Sequence, residues 1–522
     1  MKLLRSSLLV AGAYAAVVAA APSQEPAAKP SRPLLLDLAH LDDVAARARK
    51  GDPILQAAVA ALEEDARKAL DFKPVSVMDK TVTPPSGNKH DYMSQAPYWW
   101  PDPSKPNGRP YIRRDGERNP EISGIPDHAN FDRVMAAVST LGLAYHLTGR
   151  EEYAVHAARL LRVWFIAPAT AMTPHLEYGQ GIPGINEGRG IGIIETRALP
   201  DMLDGVVLIS RSSAWPLADA NRLHAWMTAY LRWLTTSNHG LEEAKNGNNH
   251  ETWYDVQVAG LALFIGNEDL ARRTLEGSRA RIARQIERDG RQPRELERTR
   301  SWDYSIFNLR AFFDLATLGR RAGVDLWSYT TVDGRSLRKA LDYLAPFAAG
   351  ERKWPEAQIT PFRAGELTPL LRRAAVAWKE PKYGELAEKL GQANPKLILT
   401  VPSKPRASDL QLHPHQIVVG RHVKHPPVVS EGAVRRRLPG HDRAEVLALR
   451  GEDEHAAGAG GPEVSFRVDL QAVGQTAPAG GHRRRIEQHP AVAERAVRFQ
   501  VEHAPDRRFR VRLRDIDSPL VR

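Results

Sequence analysis

Apolar residues recur at three- and four-residue intervals along much of the first 380 positions, the spacing of helices that bury one face. The pattern predicts helices over 41–70, broken at Gly51-Asp52-Pro53, and over 131–147 and 152–165. It continues over 216–235, 251–264, 268–287, 304–322, 336–349 and 366–378. The spacers Gly149-Arg150 and Gly266-Asn267 join neighbouring stretches as hairpins. No run of alternating strands is evident before residue 400. Successive helical hairpins imply an all-α fold, an α/α toroid in which an incomplete barrel of hairpins buries a shared core.

Two long segments lack this period. Residues 73–128 and 167–192 are rich in Pro, Gly, Asn and aromatic residues. Irregular stretches of this length inside a globular domain usually carry function.

The two ends differ from the body. Lys2 and Arg5 precede an apolar run, Leu8 to Ala21, closed by small residues. This is the three-part pattern of a secretory signal over 1–21, too short for a membrane span, and it implies a periplasmic or secreted protein. A linker and N-terminal helix follow over 22–59, and a catalytic body over 60–395. The segment 396–522 is basic and of low complexity. All 11 Trp and 13 Tyr lie before residue 400, whereas nine of the 18 His lie after it. Two readings stay open for this tail: an irregular or disordered extension, or sequence read in a shifted frame.

Composition is that of a globular chain, 42% hydrophobic and 26% charged. The absence of cysteine excludes disulfides, zinc-thiolate sites and a cysteine nucleophile. From 401 onward 21 Lys and Arg face 15 Asp and Glu, so the tail holds six of the eleven net positive charges. The body is close to neutral, which does not indicate a nucleic-acid partner. No metal-ligand spacing occurs before residue 400, and no metal or other cofactor is expected.

Three segments carry candidate chemistry. His90 to Pro101 includes Tyr92, Tyr98, Trp99 and Trp100, aromatic faces suited to sugar rings, or equally to pinning a loop on the core. Asn246-Gly247-Asn248-Asn249 is turn chemistry that sets His250 at the mouth of a helix. In Glu295 to Tyr304, Arg300 and Tyr304 are four apart and share a helical face. Arg298, six residues before Tyr304, approaches it only if the chain is not yet helical.

Together, Asn-Asn-His before an aromatic helix and Glu-Leu-Glu-Arg before a tyrosine resemble the alginate lyases of polysaccharide lyase family five. Tyr92 to Pro101, Gly108 to Tyr111 and Gly181 to Gly192 are similar to the wider alginate lyase domain of secreted bacterial proteins. The likeness runs over roughly residues 60 to 380. It implies a metal-independent β-elimination that cleaves an acidic, uronate-containing polysaccharide such as alginate. By position it assigns catalysis to Asn249, His250, Arg298 and Tyr304, with Arg300 as a substitute for Arg298 because the Arg-to-Tyr spacing is one residue short. Substrate contacts are expected from Lys89, Tyr92, Tyr98, Trp99, Trp100, His175, Tyr178, Gln180, Arg189 and Arg300.

The chemistry suits those residue types. The uronate carboxylate must be neutralised before its C5 proton can leave, which an Arg and amide or imidazole donors can do. A nearby Arg is expected to lower the tyrosine pKa towards use as a base. His250 is the alternative base for the epimeric sugar. Two other functions remain open: a glycoside hydrolase, for which Asp91, Asp102 and Glu187 offer carboxylates, and a non-catalytic polysaccharide-binding protein.

Overall fold

The computed structural model describes residues 32–391 and 395–401, and the backbone of four strands within 432–513. The signal segment, most of the linker and most of the tail lie outside the described residues. The chain divides into two units, 1–412 and 413–522.

The first unit is an α/α toroid. Its helices are α1 (Leu38–Arg49), α2 (Pro53–Leu70), α3 (Asp127–Thr148), α4 (Glu151–Leu161), α5 (Leu199–Leu208) and α6 (Leu217–Thr236). There follow α7 (Asn238–Glu243), α8 (Asn249–Phe264), α9 (Glu268–Gln285), α10 (Pro293–Leu296), α11 (Ser301–Ala322) and α12 (Leu337–Ala348). The last are α13 (Thr368–Trp378), α14 (Pro381–Lys389) and α15 (Pro395–Thr400). Because α2 is continuous from Pro53, a domain boundary at 59/60 would fall inside a helix.

The helices are of two kinds. Outer helices bury one stripe: α9 buries Ala271, Leu275, Ser278, Ile282 and Gln285, spaced by four and three. Inner helices are enclosed on almost every side. Nearly all of α8 is buried, and α5 is buried from Leu199 to Leu208 except at Asp201. Helix α5 was not expected, because a segment buried all round has no amphipathic period. The inner helices pack in the order α3, α5, α8, α11. The approach of α3 to α5 depends on two glycines. A Cβ on Gly142 would lie 2.6 Å from the Gly205 backbone, and one on Gly205 2.5 Å from the Val138 carbonyl.

The hairpins end as the sequence suggests. Gly149 and Gly323 close α3 and α11 in the left-handed region, at φ 74° and 72°. The chain before α1 is tied down by Asp204 of α5, whose carboxylate accepts the backbone N–H groups of Leu34, Leu35 and Leu36.

The irregular segments contain strands too short to show alternation. They are β1 (Met93–Gln95), β2 (Trp99–Trp100), β3 (Ile112–Arg113) and β4 (Tyr178–Gly181). Strand β1 runs parallel to β4, joining the two segments, and β2 pairs antiparallel with β3. A fully buried Lys80–Asp127 ion pair at 2.9 Å anchors the first segment to α3.

In the second unit, β5 (Gly432–Arg436) pairs antiparallel with β6 (Glu445–Leu449), and β7 (Phe499–His503) with β8 (Phe509–Leu513). The expectation of an irregular or disordered tail otherwise falls outside the described residues. The absence of a sustained period there did not exclude short hairpins.

Candidate active site

The inner helices deliver their N-termini to one cavity of about 930 Å³. His128 and Ala129 come from the first turn of α3, and Arg197 from the residues before α5. Asn249 and His250 open α8, and Asp303 and Tyr304 lie in the first turn of α11. Unpaired N–H groups and aligned peptide dipoles make such ends favourable to anions. The irregular segments supply the opposite wall with Ser94, Tyr98, Trp99, Gln180 and Arg189.

The turn Asn246-Gly247-Asn248 places the α8 end. Gly247 has φ 79°, and the Asn248 side chain caps the helix by accepting the His250 N–H at 3.0 Å. His250 Nδ1 lies 2.7 Å from Glu243 Oε1. A carboxylate accepts only, so Nδ1 carries the hydrogen and Nε2 is the ring nitrogen not engaged by Glu243. The fully buried Asn249 donates its backbone N–H and its Nδ2 to the two oxygens of Glu295, each at 2.7 Å. Its own Oδ1 has no hydrogen-bond partner. Burial pushes the Glu295 carboxyl up to about 7, against the Asn249 donors and the nearby Arg298 and His250.

Arg298 sits in the turn between α10 and α11, so the six-residue separation from Tyr304 is not helical. Its Cζ lies 3.7 Å from the centroid of the Tyr304 ring. Nε and NH2 fork onto Asp115 at 2.7–3.2 Å. Burial raises the Asp115 carboxyl, but the hydrogen bonds from Arg298 and the Thr299 N–H outweigh it and hold the group at about 2. Arg300 also lines the cavity, with its fork taken by Asp303.

Tyr304 donates to the Tyr98 hydroxyl at 3.0 Å. Burial, then the neighbouring Tyr98, push its phenol well above the ordinary value, and the Arg298 charge only partly offsets this. The expected lowering by the Arg298 charge is present but outweighed by burial and Tyr98, so the net shift is upward and does not favour Tyr304 as a base. The cation lies over the ring face.

The cavity gathers Asn249, His250, Arg298, Arg300, Tyr304, Tyr98, Trp99, Gln180 and Arg189. Arg189 stacks near Trp99 and donates to both the carbonyl and the side-chain oxygen of Gln180. Five expected contacts lie off the cavity lining. Tyr92 is fully buried and donates to Glu195 at 2.7 Å. Trp100 turns its N–H to the Glu117 carbonyl, with Arg114 over its ring. Lys89 reaches back to the Met78 carbonyl. His175 pairs with Asp91 and packs its ring against Tyr178. Each is used by the scaffold, which local sequence does not reveal.

Local sequence does not mark Asp115, Glu243 or Arg197 as site residues. Asp115 meets Arg298 across 183 positions of sequence, and no local signal could have paired them. Glu295 stood inside the motif that drew attention to Arg298. The carboxylates weighed for hydrolysis do not line the cavity. Asp91 is buried against Ser86, Asn88 and His175, Asp102 caps its own turn, and Glu187 is exposed. Among the described residues, no group of three or more His, Asp or Glu is placed to hold a metal ion.

Residues 76–354 match the family model for alginate lyase. An alginate lyase from Bacteroides ovatus is 40% identical, with 71% of this chain and 99% of that one covered at a TM-score of 0.69. Alginate lyase A1-III from Sphingomonas species A1 is 16% identical, over 71% of this chain and 97% of its own, at a TM-score of 0.44. No curated protein matches the chain.

Proposed function

The chain belongs to the alginate lyase family, and on that premise we propose that this polysaccharide lyase cleaves alginate at the cavity formed by Asn249, His250, Arg298 and Tyr304. The observation that carries the assignment is the meeting of the Glu243-paired His250 imidazole and the Tyr304 phenol in a cavity rimmed by helix N-termini.

β-Elimination transfers the C5 hydrogen to a base. The C5–H electron pair forms the C4=C5 double bond, the C4–O bond breaks, and the departing oxygen takes a proton from an acid. Burial favours the protonated phenol of Tyr304, so it suits the acid, and the Tyr98 hydroxyl orients it. His250 suits the base, since Glu243 fixes its tautomer and stabilises the imidazolium that forms. Negative charge accumulating on the uronate carboxylate meets the α8 N-terminus and the Arg298 cation. Trp99 offers a face for a sugar ring, and Arg189 a cation for a further carboxylate. This division of labour departs from the expectation of the tyrosine as the base.

The amino-terminal pattern supports export. Among the described residues, no helix is long and apolar enough to cross a membrane.

Mass spectrometry of the fragments tests the reaction class. Elimination consumes no water, so the new non-reducing end is lighter by one water than its hydrolytic counterpart. Fragments carrying an added water would refute the proposal.

A further inference from the structure

Asn249 and Glu295 form a pair whose hydrogen bonding conflicts with the ligand. Both are buried, at 0% and 1% exposure. An ionised carboxylate can only accept hydrogen bonds. Both Glu295 oxygens are filled by Asn249, one by the backbone N–H and one by Nδ2. The amide donor is thereby spent inside the protein. What remains is Oδ1, a buried acceptor with no partner, on a residue lining the cavity. An orphaned acceptor is costly, and an amide oxygen beside a uronate carboxylate is repulsive.

Protonation resolves both problems. A neutral Glu295 can donate from Oε2 to Asn249 Oδ1 once the amide makes a half-turn. Oε1 continues to accept the Asn249 backbone N–H. The buried acceptor is then satisfied, and Nδ2 is released from the carboxylate on a residue that lines the cavity.

We infer that Glu295 is a proton-operated positioning residue: it takes up one proton when a uronate carboxylate binds, and so turns the Asn249 amide donor towards that carboxylate. The inference rests on the lyase reading above. The proton comes from solvent, returns to it when product leaves, and is distinct from the C5 proton.

The surroundings leave Glu295 poised for this exchange. Burial favours the neutral acid, while Arg298 and His250 favour the anion. Those two cations or potential cations are themselves compensated, Arg298 by Asp115 and His250 by Glu243. The balance brings the carboxyl to about 7. An arriving carboxylate adds a like charge and raises it further.

Calorimetry of a mannuronate trisaccharide binding to the full chain carrying Tyr304→Phe tests this. It is run at about pH 8 in two buffers of different ionisation heat, so that protons taken up are counted. Uptake approaching one proton per site is expected, falling to near zero when Glu295→Gln is added, because the Gln amide donates to Oδ1 at every pH. In the otherwise unaltered protein, KM should rise as pH passes above about 7, and Glu295→Gln should flatten that rise. Binding without proton uptake would overturn the inference alone. So would uptake that persists in Glu295→Gln, since His250 would then be the acceptor. If Glu295→Gln does not fold, a KM independent of pH in the unaltered protein would overturn it equally. If no polyuronate is bound and none yields unsaturated product, the lyase reading falls and takes this inference with it.

Discussion

Arg298 lies over the face of Tyr304, its Cζ 3.7 Å from the ring centroid, and not beside the hydroxyl. The hydroxyl meets Tyr98 at 3.0 Å, and the guanidinium fork is held by Asp115. The cation therefore holds the ring by its face while the phenol keeps its proton. On the proposed mechanism, this relationship suits Tyr304 to the role of acid and leaves that of base to His250.

Removing the imidazole by His250→Ala should lower kcat by about 10³-fold, the usual scale for a positioned general base. Glu243→Gln keeps the ring but loses its anionic partner, and should lower kcat by about 10- to 100-fold with little change in KM. Steady-state rates on alginate check both. Equal loss in KM and kcat for Glu243→Gln would count against the dyad.

The Asp115–Arg298 pair is mostly shielded, with side-chain exposures of 19% and 15%. Asp115→Ala leaves Arg298 without its partner and should cost about 2–3 kcal/mol in denaturant unfolding, with activity reduced as well. The pH dependence has a definite sign. The folded Asp115 value, about 2, lies below the unfolded value. Its contribution is full above about pH 4 and is lost as pH falls through about 2. Asp115→Asn should remove that acid-side loss.

Asp204 accepts three backbone N–H groups from the chain preceding α1. Asp204→Ala would leave buried donors unpaired at about 1–3 kcal/mol each at most. We expect a lower melting temperature and early protease cleavage before α1, with kcat changed less than stability. Unchanged protease resistance would contradict that role.

Trp99 and Trp100 are adjacent in sequence but unequal in place. Only Trp99 lines the cavity. Trp99→Ala should raise KM for alginate oligomers about 5- to 10-fold, the scale of one ring contact. Trp100→Ala should change KM less than about twofold, because its ring is engaged with Arg114 and the Glu117 carbonyl.

The fold was legible where a helix had two unlike faces. Helix α9 shows its buried stripe directly, and Gly149 marks the end of α3. Helix α5 was not legible, because burial on all sides leaves no contrast to read. The same limit applied to the site. Asn249, His250, Arg298 and Tyr304 stand in short motifs with distinctive neighbours. Asp115 meets Arg298 across 183 positions, and Glu243 at the end of α7 meets His250 seven residues on across the Asn-rich turn; neither carboxylate carries a mark of its partner in the sequence. Tyr92 shows the converse. An aromatic beside polar residues suggested a sugar contact, yet the ring is core and its hydroxyl is bound to Glu195.

The most direct test is the ultraviolet absorbance of the conjugated C4=C5 uronate, followed with alginate, polymannuronate and polyguluronate for the full chain and its Tyr304→Phe form. Absorbance should rise on at least one polymer and fall by about 10³-fold in rate for Tyr304→Phe, whose ring and Arg298 contact are retained. Undiminished absorbance in Tyr304→Phe, or polymer shortening without any absorbance, would contradict elimination at this site.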